Sequence, residues 1–142
     1  MKRYATLLKA TAIIQIIAAL IHLPSLFIWL PPKNDTEKQL FTLLDTYKFD
    51  MGLGFHRTLG EMTLVFSASL CLLGLLAGLI NWHLFRKNVD VQTMKGVINI
   101  NLLLFGILFI LTMVFAFWLP IFVTGLIVLF LGLTRSAMTK KL

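Results

Sequence analysis

Apolar residues run along this chain in long stretches, and the length of those stretches decides its class. Residues 10–30, 62–82 and 98–120 are apolar with few polar interruptions, and a shorter run follows at 121–134. A helix crosses the hydrocarbon core with about 20 mostly apolar residues. A chain of 142 residues has no soluble interior large enough to enclose several such runs. The pattern predicts an all-α, four-helix transmembrane bundle forming a single domain, with helices near 5–29, 59–83, 96–117 and 120–134.

The first helix has two candidate ends. Proline removes a backbone hydrogen bond and kinks or stops a helix. Either the helix stops at Pro24 and residues 26–30 lie in the interface, or it bends and continues to Trp29. Pro31 and Pro32 end the segment in both cases. Met1-Lys2-Arg3 before an apolar run has the order of a signal peptide. The run outlasts an ordinary signal core and lacks a small-x-small cleavage site, so it reads as an uncleaved helix. Trp118-Leu119-Pro120 predicts a tight antiparallel connection into a last helix that is short for a span. A thin local bilayer or a snorkelling Arg135 accommodates it.

Residues 31–58 form the long polar loop. Asn34 with Glu37 three residues later fits a capping box. Leu40, Phe41, Leu43, Leu44 and Tyr47 then recur at helical spacing among charged residues. This predicts an amphipathic helix over 35–48, resting on the bilayer surface or over the bundle. Phe49, Met51, Leu53 and Phe55 alternate as a strand would. Gly52, Gly54 and the lack of an evident partner strand favour an irregular linker instead.

Charge adds orientation. The net charge is +7, carried mainly at the ends of apolar runs rather than on a separate basic face, which argues against nucleic acid as a partner. Lys2, Arg3, Lys9, Arg86, Lys87, Lys95, Arg135, Lys140 and Lys141 share one side if four helices cross. Lysine and arginine concentrate in cytoplasmic segments. Both termini are therefore expected inside and the long loop outside the cell membrane.

Candidate chemistry is sparse. Gly74 and Gly78, extended by Ser67 and Cys71, make a small-residue face that suits close helix packing. Packing within the bundle is favoured over a homodimer seam. Cys71 is the only cysteine, so it reads as a packing residue, and no internal disulfide can form. Gln15 and His22 share a face of the first helix and need polar partners in lipid. They suit interhelical hydrogen bonds or, on a functional reading, a quinone or polar substrate. Asn99 and Asn101 are expected to bond headgroups, water or a neighbouring helix. The three histidines do not form a haem pair at matching depth across His22 and His83, and His22 with His56 is a thin signal. No nucleotide-binding loop, hydrolase elbow or zinc-helix motif occurs. No cofactor or metal is predicted.

The densest constellation is His56-Arg57-Thr58-Leu59-Gly60-Glu61. Arg57 and Glu61 stand four apart, which on a helix places them on one face. They read as an ion pair that seats the helix at the interface or as part of a site. If the first helix stops at Pro24, His22, Arg57 and Glu61, with His56 nearby, converge beneath the amphipathic helix and suit a polar or anionic headgroup. If it runs to Leu30, they do not converge.

Four passes, a long first loop, Gly52 and Gly54 before Arg57-Thr58, an acid at Glu61 and a proline opening the last helix resemble a family of small uncharacterised bacterial four-helix integral membrane proteins. The resemblance spans most of the chain. It implies the fold and a bacterial inner membrane, and no reaction. In size and pass number the chain is also similar to DoxX-like proteins, which are associated with quinone-linked or redox membrane complexes. No DoxX motif residue is matched, so no role is carried over.

Three function classes follow. The favoured one is a non-enzymatic accessory or assembly subunit with other membrane proteins as partners. The alternative is a quinone- or lipid-linked membrane redox enzyme. A small transporter or channel subunit is disfavoured by the scarcity of intramembrane ionisable groups.

Overall fold

The computed structural model describes residues 2–27 and 31–139. Helix α1 spans Lys2–His22, followed by a 3₁₀ turn at Leu23–Leu26. Helix α2 spans Asp35–Thr46. Strands β1 (Lys48–Asp50) and β2 (His56–Thr58) follow. Helices α3 (Leu59–Arg86), α4 (Val91–Phe115) and α5 (Trp118–Thr139) complete the chain. Four of these helices are long and apolar enough to cross a membrane. The chain is an all-α, multi-pass membrane protein with a four-helix bundle and one small antiparallel hairpin.

The α-helical part of α1 takes the earlier of its two candidate ends. Pro24 lies in the first positions of the 3₁₀ turn, where its missing N–H is least costly, and its carbonyl accepts from Phe27 N at 3.0 Å. The expected continuation to Trp29 and Leu30 falls outside the described residues.

Contacts divide the chain into two compact units, Met1–Ala19 with Gly74–Leu142, and Leu20–Leu73. In the first unit, α1, the second half of α3, α4 and α5 meet around Leu8, Met94, Ile98, Ile127, Leu131 and Met138. A β-carbon on Gly74 would meet Ala19, and one on Gly78 would meet Ile16 and Ala12. The Lys9 ammonium lies 5.9 Å from the Trp82 ring centroid, a cation–π contact between the opposite termini of the two helices. Helices α4 and α5 form a hairpin in which the Thr112 and Thr124 hydroxyls lie 2.9 Å apart. Near its open end, Arg135 Nε donates to Asn99 Oδ1 at 2.7 Å.

Helix α5 outruns the short span expected at 120–134. Thr134 does not end it, because its hydroxyl is absorbed inside the bundle. That oxygen lies 2.8 Å from the Phe130 carbonyl and 3.0 Å from the Thr11 hydroxyl. The helix continues through Arg135, so no thinning of the bilayer is needed.

The second unit holds α2, the hairpin and the first half of α3. Asn34 caps α2 through Oδ1, which accepts from Glu37 N at 2.8 Å. The Glu37 carboxylate reaches back one residue further than a standard capping box, to Lys33 N at 2.6 Å. The expected irregular linker is instead a β-hairpin. Lys48 faces Thr58, Phe49 faces Arg57 and Asp50 faces His56. The partner of the alternating residues lies in the three residues just before α3, His56–Thr58, which belong to the charged constellation that reads as the opening of a helix. Gly52, Leu53 and Gly54 turn the chain with φ of +81°, +55° and +80°. Asp50 Oδ1 secures the turn by accepting from Gly52 N at 2.8 Å.

Candidate functional site

Thr58 and Glu61 set the start of α3. Glu61 Oε2 accepts from Thr58 N at 2.9 Å, and Thr58 Oγ1 accepts from Glu61 N at 3.1 Å. This reciprocal pair satisfies donors that a helix start otherwise leaves open. The sequence carries its signature, Thr-x-x-Glu, beside the i, i+4 spacing of Arg57 and Glu61 that suggests an ion pair instead. Arg57 belongs to β2, not to α3, so the two do not share a helix face. Its Nη1 donates to the His56 carbonyl at 3.0 Å, and among the described residues no ion pair joins it to Glu61. His56 and Arg57 are exposed, and His22 is half-buried at the end of α1.

A polar cleft of about 360 Å³ opens beside this helix start. Asp45, Lys48, Thr58, Glu61, Thr63 and Ser67 supply its polar lining, with Leu26, Gly60 and Leu64 between them. Of the residues singled out in the sequence, the cleft takes up Glu61 and Ser67; His22, His56 and Arg57 do not line it. Asp45 and Lys48 come from the end of α2 and the start of the hairpin. Gly60 lets them close in: a β-carbon there would stand 2.7 Å from Asp45 Oδ1 and 3.3 Å from the Leu44 carbonyl oxygen. Two carboxylates, an ammonium and three hydroxyls can hydrogen-bond a polar headgroup. No group of three metal-ligating side chains occurs among the described residues.

A second polar group lies inside the first unit. Asn81 Nδ2 donates to Gln15 Oε1 at 2.8 Å, and Gln15 Nε2 donates to Asn101 Oδ1 at 3.1 Å. Asn101 Nδ2 donates to the Val97 carbonyl at 2.9 Å. Gln15 and Asn81 are fully buried. The triad ties α1, α3 and α4 together. The sequence pointed to Gln15 and Asn101 as needing partners. Asn81 is not singled out by the sequence reading, although it lies inside the apolar run 62–82, where an asparagine needs a partner.

Ser67, Cys71, Gly74 and Gly78 lie along α3. Cys71 is buried, and Gly74 and Gly78 receive α1 of the same chain. The titratable group with a clear shift is Asp90, outside the spans. Its carboxyl is held below the ordinary aspartate range, first by the Thr93 hydroxyl and then by the Thr93 backbone N–H.

No protein-family model, curated protein or solved structure gives a significant match to this chain.

Proposed function

We propose that this chain is a non-enzymatic accessory or assembly subunit of a bacterial inner-membrane complex, with both termini cytoplasmic. The observation that carries the reading is the Gln15–Asn81–Asn101 triad. Polar side chains in hydrocarbon mark either a pathway or helix-to-helix bonding. Here they bond to one another across three helices, as do Thr11 with Thr134 and Thr112 with Thr124. Their hydrogen bonds hold a scaffold together. The apolar faces of α3 and α4 stay outward, with Phe66, Leu72, Leu103 and Val114 each more than three-fifths exposed, and supply contact with lipid and with other membrane proteins. Basic residues at one end of the bundle, among them Lys9, Arg86, Lys87 and Arg135, support a cytoplasmic placement of that end.

The test is purification in mild detergent after cross-linking in intact cells. One membrane protein recovered in fixed stoichiometry, and lost when the apolar face of α4 is altered, supports the reading. A chain purified alone, with extractable quinone and an absorbance spectrum that changes on reduction, replaces it with the redox-enzyme reading. The polar cleft at the start of α3 is the observation that favours that second reading, because it would take a lipid or quinone headgroup.

A further inference from the structure

The second unit is held together without an apolar interior. Of all its apolar side chains, Cys71 is the one buried among the described residues. The hairpin shows why. In a strand, successive side chains point to opposite faces. Lys48 and Thr58, cross-strand partners, line the polar cleft, and Asp50 and His56 share their face. Phe49 and Arg57, also partners, point the other way. Beyond them Met51 and Phe55 keep the same parity, joined by a bond from Met51 N to the Phe55 carbonyl at 2.9 Å. The hairpin is therefore amphipathic, and its apolar face is bare. Met51 is 56% exposed, Phe55 57% and Leu53 at the tip 98%. Tyr47 extends that face by packing edge-on to Phe49 at 4.9 Å between ring centroids.

Leu53 sharpens the point. It adopts φ of +55° between two glycines. That conformation disfavours a branched side chain, and asparagine or glycine takes it more readily. In water nothing compensates a leucine held there with its whole side chain exposed.

We infer that this hairpin is a lipid-docking element whose apolar face, tipped by Leu53, inserts into the leaflet at the N-terminal end of α3. Three observations choose lipid as its occupant. The hairpin runs directly into α3, which enters the membrane from Leu59 onward. Arg57 stands on this face level with Phe49, at the end away from the Leu53 tip, where a long cationic side chain reaches headgroup phosphates while the tip lies deeper. Helix α2 beside it is amphipathic too, with Leu40 and Leu43 more than half exposed. An element of this kind fixes the depth and tilt at which the start of α3 enters the membrane. The inference does not rest on the accessory-subunit reading.

The test uses the full chain, purified and reconstituted in vesicles of phosphatidylcholine and phosphatidylglycerol. Leu53→Cys and, separately, Met51→Cys are labelled with the environment-sensitive dye NBD; buried Cys71 gives the background in the unsubstituted protein. A His56→Cys label on the polar face is the control, since His56 is exposed and shares that face with Asp50. The tip labels should shift to the blue and lose about half their emission to a quencher on the upper acyl chain, within the 5–10 Å depth of interfacial elements, while the control should be quenched by aqueous iodide. Tip labels quenched by iodide as strongly as the control would overturn the inference. So would tip labels shielded from iodide and untouched by the lipid quencher, which would place a second copy of the chain on this face. Far-ultraviolet circular dichroism confirms that each labelled protein remains helical, and the two tip sites guard against a local defect at either one.

Discussion

Asn81 and Gln15 join across 2.8 Å in the interior of the first unit, 66 residues apart in sequence. The Asn81 Oδ1 atom is buried and has no hydrogen-bond partner among the described residues. The asparagine is thus held by its amide nitrogen, which also lies 3.5 Å from Asn101 Oδ1. Interhelical hydrogen bonds in membranes contribute about 0.6 kcal/mol on average and up to about 2 kcal/mol. Asn81→Ala should therefore destabilise the bundle by about 1–2 kcal/mol, since it also leaves Gln15 short of a donor. The double variant Gln15→Leu/Asn81→Leu should recover part of that loss, because removing both partners leaves fewer buried polar groups unmatched. Unfolding in detergent, read as a double-mutant cycle, measures the coupling. A coupling near zero would mean that the triad does not brace the helices.

Gly78 carries a separate steric requirement. A β-carbon there would lie 2.7 Å from Ile16 Cγ1 and 3.1 Å from both Ala12 O and Ile16 N. Two of those neighbours are backbone, so α1 would have to move. Gly78→Ala should cost about 1–3 kcal/mol, the usual range for overpacking a tight contact. Gly96 offers the contrast within α4: nothing lies within 4 Å of its would-be β-carbon. There the same substitution should stabilise by up to about 1 kcal/mol through helix propensity. Thermal midpoints of the two variants in one detergent should move in opposite directions. Equal shifts would contradict the close approach at Gly78.

The four spans were legible because length and apolarity are local properties. Their ends were less so. Pro24 marked a boundary but left its consequence open, and the polarity of Thr134 and Arg135 disguised a helix that continues through them. The hairpin was hidden for two reasons. Each strand is three residues long, and its second strand sits in a charged segment that also resembles a helix start. Of the candidate cluster, Glu61 was recognisable as important, but its partner Thr58 is reached through a cap rather than through charge. The cleft depends on Asp45 and Lys48 being carried to Gly60 by the fold of the loop, which no spacing in the sequence expresses. The pairing of Gln15 with Asn81 is equally non-local.

Asp90 makes the start of α4 sensitive to acid. Its Oδ1 accepts from Thr93 N at 2.9 Å and its Oδ2 from the Thr93 hydroxyl at 2.6 Å. Both bonds favour the ionised form, so the folded-state pKa lies below that of an ordinary aspartate. A depressed carboxylate stabilises the fold fully above the unfolded pKa, and that contribution fades as pH falls through the folded value. The thermal midpoint should therefore drop below about pH 3.8 partly through this group. Asp90→Asn keeps a capping oxygen without the charge and should flatten that part of the pH profile. An unchanged profile would show that Asp90 contributes no acid dependence.

Gly60 and Asp45 provide the last test, at the polar cleft. A β-carbon on Gly60 would come 2.7 Å from Asp45 Oδ1 and 3.3 Å from the Leu44 carbonyl oxygen. The first neighbour is the end of a side chain and can rotate away. The second is backbone, at a distance that asks for only a small adjustment. Gly60→Ala should accordingly cost less than Gly78→Ala, about 1 kcal/mol, at the low end of the overpacking range. Because the closest clash is with the carboxylate, adding Asp45→Ala should relieve most of the penalty. Gly60→Leu should instead fill the cleft and push the end of α2 off α3. Hydrogen–deuterium exchange of α2 distinguishes these outcomes: little change in Gly60→Ala/Asp45→Ala and faster exchange in Gly60→Leu. Unchanged α2 protection in Gly60→Leu would mean that α2 does not pack against Gly60 in solution.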